Sequence, residues 1–136
     1  MIAAAPDLAA FRRFFRDDFE AAAAVIEGTA ELGAYRLTPP RELGGYGLAA
    51  ASFLPYLEAA AAGPGAGRML VHVNNGIWRP LAEFGSPAQR EVATRLAAGE
   101  VCVAFALTET AGGTGRDLHS RGVRSGAAWR ITGEKH

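Results

Sequence analysis

Thr108, Thr110 and Thr114 crowd into one short stretch with Glu109, Gly112, Gly113 and Gly115. Glycine removes the side-chain barrier and admits positive φ, so such a turn can aim several backbone N–H groups at one point. With hydroxyls beside them, those donors could cradle an anion. The same spacing also describes a glycine-rich β-turn that binds nothing, and spacing alone favours that plainer reading. Two phosphate-binding patterns are excluded. Arg116 stands where a Walker loop needs Lys followed by Ser or Thr, and Gly113-Thr114-Gly115 lacks the third glycine of a dinucleotide fingerprint. Glu109 invites a reading as a general base because it sits in the loop; the alternative is a carboxylate that accepts hydrogen bonds and holds the turn. Asp117, at the loop's end, reads as a turn-capping carboxylate.

Other chemistry has little support. His72, His119 and His136 share no metal-ligand spacing with each other or with Cys102, so no metal site is expected. No serine occupies a nucleophile-elbow context. Cys102 is the single cysteine, which excludes an intrachain disulfide. Its place in the apolar run VCVAFAL predicts a buried thiol and fits a reducing cytoplasm. Trp78, Trp129 and the phenylalanines are expected in the core, with a cover over the hairpin as the alternative for Trp129.

The loop needs elements to hold it. Leu8, Phe11, Phe15, Phe19, Ala22 and Ile26 recur at three- and four-residue steps, with charged residues between them, which predicts one long amphipathic helix. Asp7 is its expected N-cap and Gly28 its terminator, with a short helical piece around Glu31 ending at Gly33. Residues 37–48 hold too many prolines and glycines for a helix interior and predict an ordered loop. Residues 50–62 predict a second helix, with Pro55 tolerable only in its first turn. Gly63-Pro64-Gly65 breaks the chain. Residues 69–84 predict one or two helices with a break or kink at Pro80. Ser86, Pro87 and Gln89 have capping-box spacing, so a helix over 87–97 should follow, ended by Gly99. At Val101 the pattern turns β-rich: residues 101–107 predict a mostly buried strand, and residues 122–125 and 127–132 a hairpin around Gly126, closed by Gly133.

The content is therefore α+β: an all-helical domain over residues 1–98, then the opening strands of a β domain over 99–136. With 49% apolar and 21% charged residues the chain is globular rather than disordered. Fourteen basic and fourteen acidic residues cancel, so no broad field exists to draw nucleic acid or an anionic membrane. No stretch approaches the ~20 apolar residues that span a bilayer. Residues 101–136 fall below the ~40 that usually carry an independent core, so those strands must pack on something further.

Four segments carry a resemblance that spans most of the chain: PPRELGGYGL at 39–48, FGSPAQREVATRLAAGE at 84–100, FALTETAGGTGRD at 105–117 and WRITGEK at 129–135. In this order they resemble the acyl-CoA dehydrogenase family. The resemblance implies an N-terminal helical domain followed by the first strands of an incomplete β-barrel domain, in a chain that is a fragment of a three-part fold. It implies FAD as cofactor, with Phe105, Ala106, Leu107, Thr108, Gly113 and Thr114 contacting the flavin, and Thr114 also near the acyl-CoA. The implied reaction is α,β-dehydrogenation of an acyl-CoA thioester. Electron-transfer flavoprotein or oxygen would be the acceptor, and the full-length form a homo-oligomer. A same-fold flavin monooxygenase, an acyl-CoA oxidase and a non-enzymatic helical interaction module remain alternatives. The family base belongs to a C-terminal helical half, so no catalytic residue is expected in this chain, and Glu109 becomes a structural acceptor. Three departures stand out: Thr110 where Pro is usual, Thr114 where Ser is usual, and Gly115-Arg116 inserted before Asp117.

Overall fold

The computed structural model describes residues 4–16, 22–113 and 115–136. The chain divides into two compact units, residues 1–104 and residues 105–136. Among the described residues the first holds six α-helices, α1 (Leu8–Phe14), α2 (Ala22–Glu31), α3 (Ala50–Ala61), α4 (Gly65–Asn74), α5 (Trp78–Phe84) and α6 (Pro87–Ala98). The second holds an antiparallel pair, β1 (Arg121–Ser125) and β2 (Ala128–Thr132). Helices first and strands after is the expected α+β order.

Local signals place most helix ends where the sequence predicts. The Asp7 carboxylate accepts from the N–H groups of Ala9 and Ala10 and caps α1. Ser86 and Gln89 form the capping box: Ser86 N–H donates to Gln89 Oε1 at 2.8 Å and Gln89 N–H to Ser86 Oγ at 3.4 Å. Gly99 ends α6 at φ 81°, a left-handed conformation that only glycine adopts without strain.

Proline and glycine inside helices depart from expectation. Gly28 does not end a helix; it lies within α2, where a Cβ would stand 2.4 Å from the Phe14 ring. The missing side chain admits the ring of another helix, and that packing outweighs the low helix propensity. Pro55 lies beyond the first turn of α3. Ala51, whose carbonyl would take the N–H that Pro55 lacks, is an exposed residue. Pro80 sits in the first turn of α5, where a backbone N–H has no intrahelical acceptor. The break between α4 and α5 falls at residues 75–77 instead. The single long N-terminal helix is also replaced, by α1 and α2 with residues outside the described set between them; Phe19 is one of those.

The core of the helical unit gathers Phe11, Phe15, Ala34, Leu37, Ala59, Ala60 and Val71. Phe11 and Phe15 lie 4.9 Å apart, and Tyr56 meets Phe11 edge-on at 5.2 Å. The Tyr56 hydroxyl also donates to Pro6 O at 2.8 Å. The predicted loop over residues 37–48 is ordered by its own backbone: Tyr46 N–H donates to Arg36 O, Gly47 N–H to Pro39 O and Leu48 N–H to Leu37 O. Arg36 closes it from inside with two bonds to Gly44 O while its guanidinium lies 5.1 Å from the Tyr46 ring centre.

The buried strand over residues 101–107 is not formed. A strand needs a neighbour to take its alternate N–H and C=O groups, and among the described residues no strand lies beside this run. Val103 N–H donates to the Asn74 side chain at 2.8 Å, and Leu107 O accepts from Lys135 Nζ at 3.1 Å. Cys102 is exposed as a result, against the expectation of a buried thiol. The hairpin itself forms, with Gly126 at φ 63° first in a two-residue turn, as a type II′ connection requires. Every residue of both strands is exposed. Trp129 on β2, 66% exposed and lying over Gly122 of β1, and Phe84 at the end of α5, 78% exposed, are not core residues.

Candidate functional site

Residues 105–113 leave an extended run and fold back on themselves. Glu109 and Gly112 exchange backbone hydrogen bonds, Glu109 N–H to Gly112 O at 2.7 Å and the reverse at 3.0 Å, which makes a tight four-residue turn. Gly112 has φ 150°, and a Cβ there would stand 2.7 Å from the Asp117 side chain, so glycine is required on both conformational and steric grounds. The turn brings Gly113 beside Thr108: a Cβ on Gly113 would lie 3.6 Å from Thr108 Oγ1.

Glu109 is the organising side chain. It is buried, and its carboxylate receives three donors from two distant segments: Lys135 Nζ at 2.7 Å, His119 N–H at 2.5 Å and Ser120 N–H at 3.0 Å. Lys135 Nζ also reaches Leu107 O, and His136 N–H donates to Thr108 O at 3.0 Å, so the residues after β2 pair with those before the turn. Gly133 permits this close return, since a Cβ there would collide with Ser120 Oγ at 2.0 Å. An open cleft of about 220 Å³ lies beside the cluster, between Thr110, His119, Gly133 and Glu134.

The Lys135 ammonium, followed by the Ser120 and His119 donors, holds the Glu109 carboxyl far below the usual carboxylate range. A carboxylate stabilised this way is a poor proton acceptor, so the geometry fits the structural reading of Glu109 and opposes a base. The folded-state pKa lies below the unfolded one. The stabilisation is therefore complete above the ordinary Glu value of ~4.3 and is lost as pH falls from there toward the folded-state value. Amide exchange in residues 105–136 is expected to accelerate progressively below about pH 4, while Glu109→Gln flattens that dependence. An unchanged acid profile in Glu109→Gln would refute this role.

The other expected site residues fall as follows. Phe105 is 64% exposed, Ala106 and Thr108 are exposed, and Leu107 is half-buried. Among the described residues, no hydrogen bond engages the N–H groups of residues 105–108. Thr108 and Gly113 are adjacent; Thr114 lies outside the described residues. No cluster of metal-ligating side chains occurs among the described residues. Lys135 is the site member that pattern reading missed, and its being the chain's only lysine was the available signal.

Residues 4–100 match the family model described as acyl-CoA dehydrogenase, N-terminal domain. The 3-sulfinopropanoyl-CoA desulfinase of Paraburkholderia xenovorans (strain LB400) is 31% identical over 116 residues, covering 82% of this chain and 29% of that protein. Human mitochondrial short-chain specific acyl-CoA dehydrogenase is 29% identical over 83% of this chain and 28% of its own length. The (2S)-methylsuccinyl-CoA dehydrogenase of Cereibacter sphaeroides is 33% identical over 82% of this chain and 21% of its own. The chain thus spans under a third of the length of these relatives. Among the described residues no helix is long and apolar enough to cross a membrane.

Proposed function

The chain belongs to the acyl-CoA dehydrogenase family, and from that membership we propose that it supplies the helical domain and the start of the β domain of an FAD-dependent enzyme acting on an acyl-CoA thioester. The observation that carries this reading is the family match across residues 4–100. Substrate class is the better supported half. The three relatives are named for different reactions, desulfination and dehydrogenation, yet each name specifies a CoA thioester. The proposed reaction is α,β-dehydrogenation, with electron-transfer flavoprotein or oxygen as acceptor and a cytoplasmic, homo-oligomeric enzyme as the setting.

The residues of the second unit fit a flavin edge. Among the described residues no partner takes the backbone N–H groups of residues 105–108, Thr108 is exposed, and Gly113 leaves the space beside its hydroxyl open. Phe105, Ala106 and Leu107 would lie along the ring, Thr108 would donate to it, and Thr114 would face the pyrophosphate and the acyl-CoA. When bound, FAD would supply the acceptor for the hydride that leaves the β-carbon. Glu109 would not take the α-proton, because its carboxylate is committed to Lys135 and two N–H groups. Its part is to hold the turn that presents Thr108. The proton would go to a carboxylate in the part of the relatives that this chain does not match.

Titration of the purified chain with FAD, followed by flavin fluorescence, tests the cofactor assignment. Weak but saturable binding is expected, and Thr108→Val should weaken it by about 1 kcal/mol or more through loss of one hydrogen bond. No binding by the wild-type chain, or an unchanged affinity in Thr108→Val, would sink the assignment of residues 105–108.

A further inference from the structure

The last residue of α4 and the one after it are both buried asparagines, and each ties the helix end to a segment far away in sequence. Asn75 Nδ2 donates to Val71 O at 2.8 Å and to Ala34 O at 2.6 Å, while its Oδ1 accepts from Thr38 N–H at 2.9 Å. Asn74 repeats the arrangement. Its Nδ2 donates to Leu70 O at 2.9 Å, one helical turn back, and its Oδ1 accepts from Val103 N–H at 2.8 Å. The bond to Leu70 O decides the orientation of the amide, because a carbonyl can face only the NH₂ end. The oxygen is thereby aimed at Val103. Asn74 Nδ2 also lies 3.6 Å from Cys102 Sγ.

Val103 stands two positions before Phe105, and neither Cys102 nor Ala104 is buried. A half-buried run without strand pairing would otherwise be free to wander, since apolar contact alone does not set a register. We propose that Asn74 is a positioning residue for the run that leads into residues 105–108: by holding the Val103 N–H it fixes the backbone of residues 102–104, which would otherwise be unanchored, and so orders the start of the segment that follows. The purpose of this anchor rests on the flavin assignment above. Asn75 carries the packing of the helix end, so Asn74 is free for this second task.

The test compares wild type, Asn74→Ala and Asn74→Asp in the full 136-residue chain. Amide exchange at Val103, the labelling rate of the lone thiol Cys102 with a small disulfide reagent, and FAD titration are measured on each. In wild type the Val103 amide should be protected to a degree comparable with the amides of α4. Asn74→Ala should release it at least about tenfold, speed Cys102 labelling and weaken FAD by at least about fivefold, the loss of one buried hydrogen bond. Amides in α1 and α3 should keep their protection. Asn74→Asp retains an acceptor oxygen for Val103 and sets its other oxygen against one carbonyl, Leu70 O, where Asn75→Asp would face two, so it should restore Val103 protection in part and FAD affinity with it. A merely structural asparagine would loosen α1 and α3 along with Val103. Should Asn74→Ala fail to fold, wild type and Asn74→Asp still decide: a wild-type Val103 amide that exchanges like those of residues 105–108 overturns the proposal. So does an Asn74→Ala chain with unchanged FAD affinity. A wild-type chain that takes up no FAD while Val103 is protected would instead remove the flavin assignment, and with it the anchor's purpose.

Discussion

Adding one methyl group at Gly63 is expected to destabilise the helical unit by about 3 kcal/mol or more, the upper end of the overpacking range. Gly63 lies in the connection between α3 and α4, and a Cβ on it would stand 1.7 Å from the Phe15 carbonyl oxygen and 2.8 Å from its carbon. Phe15 is fully buried against Phe11, so its backbone cannot retreat without disturbing the core. Two companion variants calibrate the result. Gly67→Ala meets the Phe15 ring at 2.6 Å, a side chain rather than backbone, and should cost less. Gly65→Ala meets nothing within 4 Å at the first residue of α4 and should be neutral or slightly stabilising. Urea denaturation followed by far-ultraviolet circular dichroism gives the ordering. If Gly63→Ala unfolded at the same midpoint as Gly65→Ala, the close approach of Phe15 would be wrong.

Asn75→Ala should rank next, at about 2–4 kcal/mol. The alanine would leave the Thr38 N–H and the Ala34 carbonyl without their partners, and each buried orphan costs about 1–3 kcal/mol. Thr38 is doubly dependent on this residue, since its hydroxyl donates to Asn75 O and accepts from Trp78 Nε1 at 3.0 Å. The loss should therefore spread to the entry of the 37–48 loop, visible as faster amide exchange at Thr38 and Leu48. Asn75→Asp keeps an acceptor for Thr38 but sets a carboxylate against the Ala34 and Val71 carbonyls, so it should not rescue. A Thr38 amide that stays protected in Asn75→Ala would show that the loop is held by its own backbone bonds instead.

Parts of this fold were legible before any coordinates, and they share a physical origin. The Asp7 cap, the Ser86–Gln89 box, the Gly99 terminator and the Gly126 turn each arise within a few residues, where side-chain chemistry and backbone freedom act without help from the rest of the chain. The Thr108–Gly113 turn belongs with them. Its glycines and its following Asp117 announce a tight reversal, and the motif around it was one of the four segments that carried the resemblance.

What the tertiary structure decided lies in interactions between positions that no local window contains. Gly28 continues a helix because the Phe14 ring occupies the space its side chain would fill. Residues 101–107 read as a strand by composition, yet a strand is a property of a pair, and the partners found are an asparagine side chain from α4 and a lysine after β2. Glu109 read in sequence as a structural acceptor rather than a base, but its donors, Lys135, His119 and Ser120, come from positions that no window around it contains. Composition determines which groups must be satisfied; only the folded chain determines which distant residue satisfies each, because a buried donor accepts whichever partner the packing of the helices brings within reach.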